Sequence, residues 1–397
     1  MLDSARRILA LATPQAVIFS VTILVFDVLG YYLLPDTIAF KFYDYRMERS
    51  VVGERTPYSR DYFVPHLTRG FDLGSTGTAK HGIPELSYPV WSNDIGCFDR
   101  TWDPVPSGYV YFAGDSFTWG YAAFEDKFAT LFEMATGKPS LKCGVTGTGT
   151  RHQFDKFREV LGRVRQTPAH VIVSFFTNDI EDDHLFPDKT VVDGWLVQQR
   201  FIGFDGGPVQ VDETWIRERI ADSKPNLKLA CAPDIWTKIK CISITANTIN
   251  AIRKSIVGRD TRVGEPQVNS FTYRGRELKS REIYGNADIT NGHLAYATNP
   301  RAEANRKVVL AWRQHAEQFG YRLSFILIPP AHHYVNTRLF AEVTAFLDAA
   351  GIEFLDLTRT FAEGSTSGNV LYWRYDPHFT PLGNRVVAEA LVRRWGQ

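Results

Sequence analysis

The sequence predicts an α/β fold in which helices cover both faces of a parallel sheet of five strands. Short apolar runs with the length of buried strands alternate with longer segments whose apolar residues recur every three or four positions, as on one face of a helix. Strands that alternate with helices form parallel sheets, so their carboxyl ends lie together at one end of the sheet. We therefore expect the functional side chains at this carboxyl end.

Each element of this core follows from a local pattern. The expected strands, in chain order, are Tyr109–Ala113, Leu141–Cys143, His170–Phe176, Arg322–Ile328 and Ile352–Leu357. Apolar residues at helical spacing fall between them, within 124–135, 154–164, 309–319 and 336–350. A final helix begins at Thr380 and Pro381, because threonine caps helices and proline suits the first helical position. The core is thus expected over 106–184 and 300–397.

Two long segments lie outside this core. Residues 35–105, the lead segment, and residues 185–299, the insertion, show no sustained hydrophobic period. Structureless loops of such length are rare, so we expect the insertion to form a cap over the carboxyl end of the sheet. We expect the lead segment to be irregular chain that connects the N-terminal segment with the core.

The N-terminal segment contains an apolar run over residues 8–34, preceded by Arg6 and Arg7. The run exceeds the roughly 7–15 apolar residues of a signal peptide, and no small-residue cleavage site follows it. We predict a single uncleaved helix in the inner membrane, with residues 1–7 in the cytoplasm and the rest of the chain on the periplasmic side. Asp27 inside the run is costly in lipid. Either a neighbouring membrane protein satisfies it, or it reaches headgroups and water.

Composition narrows the class of protein. Hydrophobic residues are 44% and charged residues 22%, as in globular proteins. Lys and Arg number 45 against 44 Asp and Glu, and this balance argues against a nucleic-acid partner. The four cysteines form no Cys-x-x-Cys pair, which argues against structural zinc. In an oxidising compartment Cys231 can pair with Cys241 and Cys97 with Cys143; four free thiols are the alternative.

Candidate catalytic groups follow three of the expected strands. Gly114-Asp115-Ser116 comes directly after the first strand, and a serine there needs a base to become a nucleophile. The second strand leads into a glycine-rich loop, 144–150, whose N–H groups can converge on an oxyanion or on phosphate, although its spacing does not match Walker A. Asn178 follows the third strand, where its amide can donate to an oxyanion or cap the next helix.

A histidine that can act as the base lies near the C-terminus. In Asp376-Pro377-His378 a carboxylate stands two residues before the imidazole, where it can orient the ring and stabilise its protonated form. His332 and His333 follow another strand, but adjacent residues rarely bind one metal ion, and no carboxylate spacing supports them. We expect no metal and no cofactor.

These segments, taken in order, resemble the SGNH (GDSL-type) hydrolase superfamily, and in particular its membrane-anchored members in bacterial envelopes. Gly114-Asp115-Ser116 is similar to the first sequence block of that superfamily, Gly147 to the second, Asn178 to the third, and Asp376 with His378 to the last. The stretch Trp91–Arg100 is similar to a segment that often precedes the first block in envelope members. The resemblance implies an SGNH-like, flavodoxin-like, three-layer form of the predicted sheet.

The resemblance also implies a role for each matching residue. Ser116 is expected to be the nucleophile, His378 its base, and Asp376 the group that orients the base. The oxyanion hole is expected to consist of the N–H groups of Ser116 and Gly147 and the side chain of Asn178. Gly114 and Asp115 are expected to support the serine loop.

The sequence departs from the superfamily pattern at two places. Phe176 and Thr177 precede the asparagine, where the third block usually carries a glycine at one of the two positions. Cys143 stands where the second block often has an asparagine. Both changes are expected to alter the floor of the pocket and to leave the catalytic groups in place.

The implied activity is that of a serine esterase acting on an acyl ester, most simply an acetyl ester, outside the cytoplasm. An O-acylated saccharide of the cell envelope is the expected substrate class. The same triad also suits an O-acetyltransferase that modifies an envelope polysaccharide. A non-catalytic subunit of a membrane assembly is a third alternative, with Asp27 among its contacts.

Overall fold

The structure is a computed structural model, and its description covers part of the chain. The described residues are 62–82, 87–203, 205–222, 270–279, 295–331, 334, 338–365, 370–373 and 377–397, together with 14–15, 18–27, 29 and 245. The chain divides into two compact units, Met1–Glu48 with Leu227–Glu265, and Arg49–Asn226 with Pro266–Gln397.

The first unit contains helical residues at 18–27. Asp27 Oδ1 accepts two hydrogen bonds from Thr245, one from the backbone N–H and one from the hydroxyl, each at 2.9 Å. A segment of the same chain therefore contacts this carboxylate, an arrangement that neither sequence-based alternative included. Among the helices within the described ranges, none is long and apolar enough to cross a membrane.

The lead segment forms two antiparallel hairpins in its described part, so the expectation of irregular chain is wrong there. Strands β1 (Phe63–His66) and β2 (Gly70–Leu73) form the first hairpin, and β3 (Thr78–Gly82) and β4 (Ser87–Trp91) the second. All of β2 is buried, including Asp72, which pairs with Arg69 at 2.5 Å and also contacts Lys156. A strand that buries both faces and a charge lacks the alternation by which strands are recognised.

The first half of the core contains three strands and four helices. These are β5 (Val110–Ala113), α1 (Ser116–Trp119), α2 (Phe128–Thr136), β6 (Ser140–Lys142), α3 (Thr150–Val164), β7 (His170–Phe175) and α4 (Asp179–His184). The glycine-rich loop 144–150 lies between β6 and α3 and contributes the first residue of that helix. Each predicted strand is present with bounds that differ by one residue.

The insertion begins directly after α4 and is regular where it is described. Its elements are β8 (Lys189–Val192), β9 (Trp195–Gln198), β10 (Arg200–Gly203), β11 (Pro208–Gln210), α5 (Glu213–Asp222), β12 (Ser270–Tyr273) and β13 (Arg276–Lys279). β8 and β9 form a hairpin, and the others form an antiparallel sheet in the order β11-β10-β13-β12. Its function as a cap stays a prediction.

The second half of the core completes the sheet. Its elements are α6 (Glu303–Phe319), β14 (Arg322–Leu327), α7 (Ala341–Ala349), β15 (Glu353–Asp356), α8 (Thr358–Ser365) and α9 (Pro381–Trp395). The five core strands are all parallel, in the order β15-β14-β7-β5-β6, which confirms the predicted sheet. Thr380 caps α9, accepting a hydrogen bond from the Gly383 N–H at 3.1 Å, as the sequence predicts.

Two hydrophobic clusters lie on opposite faces of this sheet. In β7, Val171 and Val173 belong to one cluster and Ile172 to the other, as expected for side chains that alternate across a strand. The one cluster contains residues of α3 and α6, and the other contains residues of α2 and α9. The core is therefore a three-layer α/β arrangement, with helices on both faces of the sheet.

A disulfide joins the lead segment to the end of β6. Cys97 and Cys143 are bonded, with their Cα atoms 4.6 Å apart. Both residues are buried, and Cys143 directly precedes the glycine-rich loop. This confirms one of the two predicted pairings and excludes four free thiols. Cys231 and Cys241 lie outside the described residues.

Candidate active site

The serine lies on a tight turn between β5 and α1. Asp115 is the N-cap of α1, and its Oδ1 accepts a hydrogen bond from the Phe117 N–H at 3.0 Å. A Cβ added at Gly114 would lie 2.0 Å from Thr118 Oγ1 and 2.8 Å from Ser174 Cβ, so only glycine fits. The turn thus places Ser116 at the carboxyl end of the sheet, with its side chain largely buried.

Ser116 is paired with a histidine from the far end of the chain. Ser116 Oγ lies 2.7 Å from Nε2 of His378, across 262 positions of sequence. The loop that carries His378 is held by backbone hydrogen bonds: the Trp373 N–H donates to the His378 carbonyl at 2.9 Å, and the Thr380 N–H to the Leu371 carbonyl at 3.0 Å. When Nε2 is unprotonated, the serine hydroxyl donates to it, which is the arrangement that general-base catalysis requires.

Two aromatic rings contact the imidazole of His378. The ring of Tyr121 is parallel to it, with centroids 3.6 Å apart and an angle of 7° between planes. The ring of Phe117 is tilted against it at 4.8 Å, and Phe176 packs on Phe117 at 4.7 Å. Phe176, at a position where the superfamily can carry glycine, therefore belongs to an aromatic group around the base. Phe117 directly follows the serine but has no predicted role, and no motif marks Tyr121.

The carboxylate beside the serine has an unusual environment. Asp115 is fully buried, and burial raises its pKa to about 6, against the opposing effects of the Phe117 N–H and of His378. Its Oδ2 lies 3.4 Å from Ser116 Oγ, which is long for a hydrogen bond between oxygens. Its shorter contact is the N-cap bond with the Phe117 N–H, through which Asp115 holds the turn.

The two other expected oxyanion donors lie on separate loops. Gly147 has a φ of +71°, in the region that favours glycine, and its carbonyl accepts a hydrogen bond from Lys189 Nζ at 2.7 Å. Asn178 occupies the N-cap position of α4 without a capping side-chain bond; its Nδ2 donates to Asp182 Oδ2 at 3.0 Å. An amide nitrogen carries a second hydrogen, which can still be donated to a substrate oxygen.

Buried carboxyl groups continue from this loop into α4. Asp183 is fully buried, and burial raises its pKa to about 7, against opposing hydrogen bonds. Its Oδ1 accepts from the Arg151 N–H at 2.7 Å and its Oδ2 from Asn305 Nδ2 at 2.8 Å, so it joins α3, α4 and α6. Burial also raises the pKa of Asp179. The sequence pattern predicts no role for the carboxyl groups of Asp179 and Asp183.

The structure describes only some of the predicted candidates. Asp376, His332 and His333 lie outside the described residues. The structure therefore brings Ser116 and His378 into hydrogen-bonding contact, with Asp115 beside the serine. Within the described ranges, no group of three or more His, Cys, Asp or Glu side chains could hold a metal ion.

Comparison with known proteins gives one family match. Residues 297–395, which contain β14, β15 and α9, match the family model described as "SGNH hydrolase-like domain, acetyltransferase AlgX". No curated protein matches the sequence significantly. The match covers about a quarter of the chain, so residues 297–395 are similar to an SGNH hydrolase-like domain.

Several solved structures are similar at low identity. A lipolytic protein of the G-D-S-L family from Desulfitobacterium hafniense has 10% identity and a TM-score of 0.34, over 72% of this chain and 99% of its own. A G-D-S-L family protein from Veillonella parvula has 10% identity and a TM-score of 0.35, over 73% and 98%. A catalytic mutant of an acetylxylan esterase from Geobacillus stearothermophilus has 12% identity and a TM-score of 0.33, over 73% and 95%.

Proposed function

We propose that this protein is a serine enzyme that transfers an acyl group from an ester through a covalent intermediate on Ser116. The observation that carries the proposal is the 2.7 Å contact between Ser116 Oγ and His378 Nε2 at the carboxyl end of the sheet. A serine hydroxyl is a weak nucleophile until a base accepts its proton, and this contact provides that base.

The proposed reaction has two halves. In the first, Ser116 Oγ attacks the ester carbonyl carbon while His378 Nε2 takes the hydroxyl proton. The tetrahedral intermediate then collapses, the alcohol leaves with that proton, and the acyl group stays on Ser116. In the second, His378 deprotonates water or an acceptor hydroxyl, which attacks the acyl-serine. Collapse of the second intermediate returns the proton to Ser116.

The negative oxygen of each intermediate needs donors that are in place beforehand. We assign this role to the N–H groups of Ser116 and Gly147 and to the second amide hydrogen of Asn178. We assign to Asp376 the orientation of His378, on the strength of its position two residues before the imidazole. Tyr121 and Phe117 both contact the imidazole ring of His378 and limit its rotation.

Acetyl is the acyl group that we favour, and a saccharide the alcohol. The support for acetyl is the family model over residues 297–395, whose description names an acetyltransferase. The saccharide is the substrate class that the sequence resemblance implies. Hydrolysis and transfer use the same serine and histidine and differ only in the group that accepts the acyl. The matched family favours transfer to an acceptor hydroxyl as the second candidate activity.

The test is turnover of para-nitrophenyl acetate with and without an acetylatable oligosaccharide. An esterase releases nitrophenol and acetate at a rate that does not depend on the saccharide. A transferase releases nitrophenol faster when the saccharide is present, and mass spectrometry then detects the acetylated saccharide. Absence of nitrophenol release under both conditions from folded protein contradicts both activities.

We also propose that the protein is anchored in the inner membrane with its catalytic core on the periplasmic side. The support is the apolar run 8–34, whose helical part exposes Ile18, Phe19 and Leu24. The Cys97–Cys143 disulfide is consistent with an oxidising compartment. Fractionation of cells and protease access from the periplasmic side test the proposal. Recovery in the soluble fraction, or protection of the core in spheroplasts, contradicts it.

A further inference from the structure

Lys189, the first residue of β8 in the insertion, lies between the two oxyanion donors that come from separate loops. Its Nζ donates to the Gly147 carbonyl at 2.7 Å and lies 3.5 Å from Asp182 Oδ1. The other oxygen of Asp182 accepts from Asn178 Nδ2 at 3.0 Å. One chain of contacts therefore connects Gly147 with Asn178 through a lysine of the insertion.

The lysine also packs on the glycine. A Cβ added at Gly147 would lie 3.5 Å from Lys189 Cε and 3.6 Å from its Nζ, so the end of the lysine covers the side of the glycine where a side chain would stand. Gly147, at φ +71°, has no side chain to restrict its backbone, and glycine has the widest conformational freedom of the residues. A hydrogen bond to its carbonyl restricts that freedom.

The charges give the contact its strength. Lys189 is 16% exposed, and the Asp182 side chain is fully buried. Lys189 also forms an ion pair with Asp188, the residue before it. A buried carboxylate that loses a neighbouring cation is less favourable in its place, so Asp182 is expected to shift without Lys189. Such a shift moves the group that holds the Asn178 amide.

We propose that Lys189 is a positioning residue that sets the Gly147 loop and the Asn178 amide relative to each other and so shapes the oxyanion hole. The inference rests on the proposed function, because it requires that a substrate oxygen becomes negative at this place. This role of Lys189 would involve the insertion in catalysis in addition to its predicted function as a cap. The first strand of the insertion, β8, would then support the groups that stabilise the transition state.

A purely structural ion pair predicts a different pattern. It would lower the stability of the protein and the fraction of active molecules without a specific effect on turnover by those that remain. Active-site titration with a fluorophosphonate counts the competent molecules, so kcat per competent molecule separates the two roles. Arg217→Met is the matched control, because it removes an exposed ion pair with Asp193 in the same insertion.

The experiment compares Lys189→Met, Lys189→Arg and Arg217→Met with para-nitrophenyl acetate as substrate. We expect Lys189→Met to lower kcat about 10- to 100-fold with little change in KM, because misplaced donors weaken binding of the transition state alone. Lys189→Arg keeps the charge and a donor and is expected to recover part of the loss. The Arg217→Met variant is expected to have the same kcat as the unaltered protein.

A double substitution tests the connection with the asparagine. Lys189→Met is expected to cost less kcat in an Asn178→Ala background than alone, because one of the donors that it positions is already gone. Equal costs in both backgrounds, or a kcat for Lys189→Met within about twofold of the unaltered protein, overturns the inference. If Lys189→Met does not fold, Lys189→Gln, which also removes the charge, takes its place in the same comparison. If the unaltered protein shows no turnover, the proposed function itself is overturned. This result differs from failure of the Lys189 inference, in which the unaltered protein is active.

Discussion

The phenol ring of Tyr121 lies face to face with the imidazole of His378, with 3.6 Å between ring centroids and 7° between planes. The Tyr121 carbonyl accepts from Trp373 Nε1 at 2.8 Å, and the backbone N–H of Trp373 donates to the His378 carbonyl. Trp373 therefore holds both Tyr121 and His378 through hydrogen bonds to their backbone carbonyls. During the proposed reaction His378 becomes positively charged, and the face of an aromatic ring attracts a cation.

Tyr121→Leu is therefore expected to lower kcat about 2- to 30-fold, from a cation–π contribution of about 0.5–2 kcal/mol. The matched control is Tyr121→Phe, which keeps the ring and removes only the hydroxyl that lies 3.4 Å from Thr146 Oγ1. The phenylalanine variant is expected to retain kcat. Steady-state kinetics with an acetyl ester measures both, and an equal loss in the two variants would assign the effect to the hydroxyl instead.

The raised pKa of the buried Asp183 carboxyl predicts how the stability of the protein depends on pH. Its pKa of about 7 is raised above its ordinary value of 3.8 by burial, so the folded protein holds this proton more tightly than the unfolded chain. The contribution to stability is complete below about pH 4 and is lost as the pH rises through about 7. Asp183→Asn cannot titrate. We expect the variant to gain stability relative to the unaltered protein as the pH rises through this window.

Urea unfolding at several pH values between about 4 and 8 measures that difference. Comparison of the two proteins is necessary because His152 and His170, whose pKa values burial lowers to about 3, act in the opposite direction over much of the same range. Their contributions cancel in the difference. A stability difference that is constant across the range would contradict the raised pKa of Asp183.

The disulfide between Cys97 and Cys143 predicts a loss of stability when it is removed. The two residues are 46 positions apart, and a crosslink of that span is expected to stabilise the fold by about 2–4 kcal/mol. Cys97→Ser and Cys143→Ser are each expected to cost about as much as the double substitution, because either one breaks the same bond. Denaturant unfolding checks this. Single losses that add in the double variant would contradict the bond.

The sheet could be predicted because its strands are short, largely apolar runs, three of them buried along their whole length, separated by helices with a clear period. The two hairpins of the lead segment could not be predicted in this way. Buried Asp72 in β2 pairs with Arg69 nearby and with Lys156 from α3, and no local pattern reveals that distant partner. The start of α7 at Ala341 was also missed, where the sequence pattern indicates residue 336.

The same distinction applies to the candidate site. Ser116 and His378 could be singled out because each stands in a short motif whose chemistry is readable without a structure. Tyr121 and Lys189 carry no such motif. Lys189 meets Gly147 across 42 positions, from a segment without hydrophobic period, and only the fold brings them together.

The central claim is that Ser116 is activated by His378, and covalent labelling with a fluorophosphonate probe tests it most directly. We expect the folded, unaltered protein to be labelled on the peptide that contains Ser116, Ser116→Ala to remain unlabelled, and His378→Ala to react far more slowly. Labelling that persists in Ser116→Ala, or a folded, unaltered protein that takes up no probe, would contradict the account.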